Sequence, residues 1–273
     1  MRPKLLGTLI ILAACVGALP AVPMARPSWA QDAPAAAGDF FDTYRNARHL
    51  LDTKPDDAAK PYEKFISSHP DAPMAALARV LRGAILWRDG ADMPGAEKEF
   101  TLAAAAAGQD AVSAAAATLG KKWLARVRMT RIARACHTYY LDEVFYPENL
   151  AQLVEKKLLD TADLRDPWGE PFTYAAAEAK YTKTPRQLYT LTAKNVDGDS
   201  SKIADILDRE KTYARGLSLK GISTDPPRKV MVAIQTQTHT IEEGQTKAGL
   251  QAVLIEAGRA IICTPDYIVA LSR

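Results

Sequence analysis

Residues 166–174 read Asp166-Pro167-Trp168-Gly169-Glu170-Pro171-Phe172-Thr173-Tyr174. The first four predict a type I turn: Asp at the first position hydrogen-bonds the backbone, Pro presets φ at the second and Gly closes the fourth. Such a turn gives Trp168 a fixed approach into a core. Upstream, Pro147 pushes Tyr146 out of the helical region and ends whatever helix precedes it. That helix is predicted from about Gly120 to Asp142, with Leu124, Val127, Ile132, Ala135, Cys136 and Tyr139 as an apolar stripe. Downstream, Leu188-Tyr189-Thr190-Leu191 reads as a strand. A long helix followed by a short sheet is an α+β unit.

Taken together, Phe145-Tyr146-Pro147, then Leu150, Leu153 and Leu158, and then the Asp-Pro-Trp-Gly stretch resemble the major pseudopilin of type II secretion systems, over about 120–208. The resemblance implies a long helix ending before Tyr-Pro, a loop helix and a small antiparallel sheet. It also implies a calcium-binding loop after the sheet, here Thr192 to Ile206, with Asp197, Asp199, Asp205 and a carbonyl around Leu191 as ligands. Oxygen donors of this kind suit a hard cation. The stretch from Leu191 to Asp197 is longer than the family pattern, and the loop lacks EF-hand spacing. The other reading of these acids is a metal-free loop in which they form turns and caps. Pseudopilins begin with a prepilin cleavage site and a long apolar helix that polymerises them. A leader and a helical stretch stand there instead, which predicts a chain that does not enter a pilus by that route.

Residues 39–119 are Ala-rich with helical spacing. Ala58, Tyr62 and Pro70, then Ala84, Trp87, Ala96, Phe100 and Ala103, resemble the tetratricopeptide repeat, in which small residues let antiparallel helices touch and an aromatic fills the gap. A generic pair of helical hairpins fits the same residues. So few repeats cannot bury a continuous core, and this region is therefore expected to lean on the segment C-terminal to it. Lys121, Lys122, Arg126, Arg128, Arg131 and Arg134 then carry six positive charges with no acid among them. Such a stripe could meet anionic lipid or an acidic partner, but more commonly is solvated or pairs locally. No site is assigned to it.

From residue 215 onward β-branched runs dominate. Lys229–Thr236, Thr238–Ile241, Ala252–Glu256, Ala260–Cys263 and Tyr267–Leu271 are predicted strands, and the polar stretch Asp208–Arg215 is the boundary before them. Leu217–Ile222, Val230–Ile234, His239–Gln245, Gly249, Val253–Ile255 and Ile261-Ile262 resemble the homology region of the type II secretion clamp protein and the pilus lipoprotein of type IV pili. Gly244-Gln245 departs from that family's Gly-Asp turn. The resemblance implies a small β-domain that binds a secretin; an unrelated small β-barrel is the other reading.

The 273 residues carry 48% apolar and 25% charged side chains, which excludes wholesale disorder. The formal charge is +3, and Arg2, Lys4 and Arg26 in the first thirty residues account for all of it. Basic and acidic residues balance elsewhere, which removes the compositional case for nucleic-acid binding. Arg2 and Lys4, the apolar run Leu5–Leu12 and Ser28-Trp29-Ala30 read as a secretory signal over 1–30. Leu12-Ala13-Ala14-Cys15 also resembles a lipobox, with lipidation at Cys15 as the alternative. Both place the mature chain in the periplasm or cell envelope, with membrane contact only through the leader or a lipid. Cys136 and Cys263 allow one disulfide or two buried thiols.

His49, His69, His137 and His239 are scattered, and no nucleophile, phosphate-loop or metalloprotease motif accompanies them. His137 reads as a packing residue, His239 as a solvated strand residue, and Glu242-Glu243 face opposite ways. No catalytic constellation is visible. The expected architecture is a multi-domain α + β chain: signal 1–30, linker 31–38, helical region 39–119, pseudopilin-like unit 120–208 and small β-domain 215–273. Its expected function is that of a non-enzymatic adaptor in a type II secretion or type IV pilus assembly, with a secretin among its partners. The second reading is a free-standing, calcium-dependent structural or binding protein of the envelope. A third, ranked below it, is an envelope enzyme whose site is assembled from unremarkable residues.

Overall fold

A single 33-residue helix, α5 (Ala111–Glu143), carries the rest of the molecule along its length. Asp110 starts it by accepting the Ser113 amide at 2.9 Å, and an Ala-rich first turn propagates it. It therefore begins nine residues before the expected Gly120, and the boundary anticipated between 119 and 120 falls inside one helix. The computed structural model describes residues 29–88, 92–106, 108, 110–181, 183–196 and 215–273. The leader up to residue 28, including Cys15, lies outside them, as do Asp197, Asp199 and Asp205.

Of the four preceding helices, α3 (Pro73–Trp87) and α4 (Met93–Ala104) pack against the first half of α5, while α1 (Trp29–Thr53) and α2 (Lys60–Ser68) pack on each other and on α3. Segment 31–38, expected as a linker, is helical instead. Ala36, Ala37, Phe40, Phe41, Tyr44 and Ala47 return to one side at helical spacing and are buried, so this stretch belongs to the core. Ala58, Tyr62, Ala84, Trp87, Ala96, Phe100 and Ala103 are all buried as well, whereas Pro70 is exposed. Phe100 lies flat on Trp123 of α5, with centroids 5.6 Å apart. Buried Glu99 accepts from Arg79 at 3.1 Å and from Arg82, which ties α4 to α3.

The second half of α5 forms a separate core with residues 145–196. Met129, Ile132, Cys136 and Tyr139 meet Leu150, Leu153 of the short helix α6 (Ala151–Glu155), Phe172 and Leu191. Two antiparallel strands close it, β1 (Thr173–Ala177) and β2 (Leu188–Thr192), with Tyr174 opposite Leu191.

The C-terminal part is two stacked antiparallel sheets. One is ordered β3 (Leu217–Ser223), β4 (Lys229–Ile234), β5 (Gln237–Glu242). The other is β6 (Thr246–Lys247), β7 (Leu250–Glu256), β8 (Arg259–Cys263), β9 (Ile268–Ser272). The strand expected over 229–236 stops at Ile234 because Gln235 turns the hairpin with φ 53°. Val230, Val232 and Ile241 face Leu250, Ile255 and Ile262 across the sandwich.

Candidate interaction surfaces

The Asp166-Pro167-Trp168-Gly169 turn has the predicted chemistry. Gly169 N–H donates to Asp166 O at 3.0 Å, and Asp166 Oδ1 accepts the amides of Trp168 and Glu170, each at 2.9 Å. Gly169 sits at φ 86°, which a side chain would strain. Asp166 is buried, and Arg128 of α5 holds the preceding carbonyl of Arg165 at 2.6 Å. Trp168 is only half-buried, at the margin of the core that contains Cys136, while Phe172 fills that core. The turn aims the chain, and the residue three places after its glycine carries the packing.

α5 ends at Glu143, and Val144 caps it in the left-handed conformation with φ 64°. Pro147 serves the sheet instead, its carbonyl accepting the Tyr174 hydroxyl at 2.7 Å. His137, expected as a packing residue, is exposed: with Cys136 and Tyr139 turned inward, a step of 100° per residue sends it to solvent. Cys136 and Cys263 are free thiols in different cores, and burial pushes each up to about 12. Of the expected calcium ligands only Leu191 is described; it is buried on β2. Buried Val196 donates to Ala193 O at 3.3 Å and so pins the chain where the loop begins. Among the described residues no group of three or more His, Cys, Asp or Glu could hold a metal ion.

Residues 113–209 match the family model of type II secretion system protein G. The match begins on the first turn of α5, runs through the Asp166 turn and β2, and takes in just over a third of the chain. The protein G family is structural and non-catalytic, and it associates this segment with type II secretion and the cell envelope. No curated protein and no solved structure gives a significant match. No helix among the described residues is long and apolar enough to cross a membrane.

The flanks of the protein G segment meet each other across α5. Val253, Ile261, Cys263, Tyr267 and Ile268 of the β-domain belong to the same core as Phe41, Tyr62, Trp87 and Trp123. The four-stranded sheet is thus covered on both faces, by the smaller sheet and by the helices. Each of these aliphatic side chains contributes about 1.5–3 kcal/mol by leaving water. A signal for this was present in the sequence: Ala252–Ile255, Ala260–Cys263 and Ile268–Leu271 are continuous apolar runs rather than alternating ones, as strands buried on both faces require. The smaller sheet alternates and has one solvated face.

Four of the six cations on α5, Lys122, Arg126, Arg128 and Arg131, are taken up by neighbours. Arg131 bridges Asp163 at 2.5 Å and Glu97 of α4 at 2.6 Å. Arg126 is 1% exposed, pairs with Asp266 at 2.5 Å and lies 5.2 Å from the Trp123 ring. Lys122 donates to Pro265 O at 2.8 Å. Arg134 is exposed.

Proposed function

We propose that this chain is an exported, non-enzymatic adaptor of a type II secretion or type IV pilus assembly, making protein contacts through its helical region and its β-domain. The observation that carries the reading is where the protein G match sits. It begins on α5, whose first half packs against α3, α4 and the β-domain, so a helical region and a β-sandwich flank the matched segment, and in this reading they are its contact modules. The burial of Ala84, Trp87, Ala96, Phe100 and Ala103 supports a short tetratricopeptide-like array in the helical region. The three-stranded sheet ends on β3 and β5, and in this reading such an edge would take a partner strand, with a secretin as the proposed partner. Export by the leader, or a lipid on Cys15, places the molecule in the envelope.

Titrating the purified full chain with a secretin periplasmic fragment tests this. Saturable binding in the micromolar range or tighter is expected. Absence of binding to secretin and pseudopilin fragments alike would overturn the adaptor reading. Calcium belongs to the same proposal: Asp197, Asp199 and Asp205, which lie outside the described residues, would supply the carboxylate oxygens that a hard cation takes. Calorimetry with calcium is expected to show heat for the wild type and none for the double variant Asp197→Ala, Asp205→Ala. Equal heats would exclude calcium from this loop.

A further inference from the structure

Alanine serves two ends in the helical region. Ala84 and Ala96 are sealed in the core where α3 and α4 pack. At the opposite end of α3 the same short side chain borders open space. There the start of α3, the end of α4 and the first turn of α5 surround a hollow of about 570 Å³, a size that accepts a ligand or several side chains. Ala75, Ala76 and Ala106 line it and are too short to fill it. Pro73 and Leu102 line it as well, and Leu102 stays 42% exposed. Gly108 keeps the α4–α5 connection flat on the first turn of α5, because a Cβ there would stand 2.3 Å from Ser113 Cβ. The charges in the lining are unequal. Arg79 is its one cation and is already held by buried Glu99 at 3.1 Å. Asp110 takes the Ser113 amide at 2.9 Å and the Ser113 hydroxyl at 2.7 Å. Asp71 is exposed and pairs with no cation among the described residues. The mouth is therefore apolar and negative.

We infer that this hollow docks a segment of a partner protein in which a bulky aliphatic or aromatic side chain stands beside a lysine or arginine. The apolar side chain leaves water among Ala75, Ala76, Ala106 and Leu102, and the cation meets Asp71 at the mouth. An acidic neighbour would instead face two carboxylates and no free base, so the charge selects the segment as well as holding it. Ser113 lines the hollow and is also the first residue of the protein G match, so a docked segment sits at the seam between the helical region and that unit. The inference rests on the adaptor reading only in giving the helical region a protein partner. Its test uses no secretin, so the two can fail separately.

Fluorescence anisotropy of the full chain with three labelled peptides tests this: Gly-Ser-Phe-Lys-Ser-Gly, the same peptide with Gly for Phe, and the same peptide with Glu for Lys. The Phe-Lys peptide is expected to bind at least about tenfold more tightly than either control. Ala106→Phe, which fills the hollow, is expected to weaken that binding at least about tenfold at an unchanged melting temperature. Asp71→Lys is expected to reverse the preference between the Lys and Glu peptides. Should Ala106→Phe not fold, Leu102→Asp changes an exposed wall residue, and the same tenfold loss is expected. No binding of the Phe-Lys peptide at millimolar concentration, equal affinity for all three peptides, or undiminished binding by a folded, filled variant would each overturn the inference.

Discussion

Trp123 and Phe100 lie face to face, 5.6 Å apart and 11° from parallel, and the opposite end of the same indole donates to Asp266. One side chain of α5 thereby joins the helical region to the β-domain. Trp123→Ala is expected to cost about 3–5 kcal/mol. Trp123→Phe keeps an aromatic face and loses the hydrogen bond, for about 1–2 kcal/mol. Urea denaturation of the two variants separates the packing contribution from the polar one.

Gly120 is where α4 crosses α5. A Cβ there would stand 2.6 Å from Ala104 N and 2.9 Å from Phe100 O, both backbone atoms that cannot swing aside. Helix propensity alone would favour alanine by about 1 kcal/mol. Gly120→Ala is nevertheless expected to destabilise by about 2 kcal/mol or more, because the two helices must separate. A melting temperature equal to or above that of the wild type would contradict the crossing.

Asp166 holds the turn through one carboxylate oxygen, while Oδ2 is buried without a hydrogen-bond partner among the described residues. Removing the acceptor strands two amides. Asp166→Ala is expected to cost about 2–3 kcal/mol, and Asp166→Asn, which keeps Oδ1 as acceptor, about 1 kcal/mol or less. Chemical denaturation of both variants checks the order.

Val144 is a β-branched residue at φ 64° and is 69% exposed, so it carries backbone strain with little burial in return. Val144→Gly is expected to stabilise the fold by about 1 kcal/mol. The midpoint of urea unfolding should rise while its slope stays constant.

Both thiols are buried and titrate well above the ordinary value of 9.0, near 12. A thiol raised in the folded state keeps its proton longer than in the unfolded chain. Its contribution to stability is complete below pH 9 and is lost as pH climbs toward 12. Neither Cys136 nor Cys263 should react with a thiol reagent at pH 8 until denaturant is added. Fast labelling of the native protein would count against the burial of either thiol.

The Asp166 turn, the long helix through Cys136 and the C-terminal strands were legible because each is written by neighbours a few residues apart: proline and glycine at fixed offsets, 3.6-residue spacing, β-branched runs. The same local rules misread 31–38, where Ala, Pro and Gly look like a linker until Phe40 and Phe41 find a core to enter. They also left Arg126 as one more surface cation. Its partner lies 140 residues away, and nothing in either segment names the other.

By itself the amino-acid order determined the Asp166 turn, the body of the long helix, the C-terminal strands and a middle segment that matches protein G; it pointed to Trp168 as the core residue, where the structure buries Phe172. Only the tertiary structure decided that the four-stranded sheet is sealed on both faces and clasped to α5 by Trp123 and Arg126. The reason is physical: a turn or a helix is settled by contacts within a few bonds. Which apolar face meets which depends on the summed burial of surfaces brought together across the whole chain.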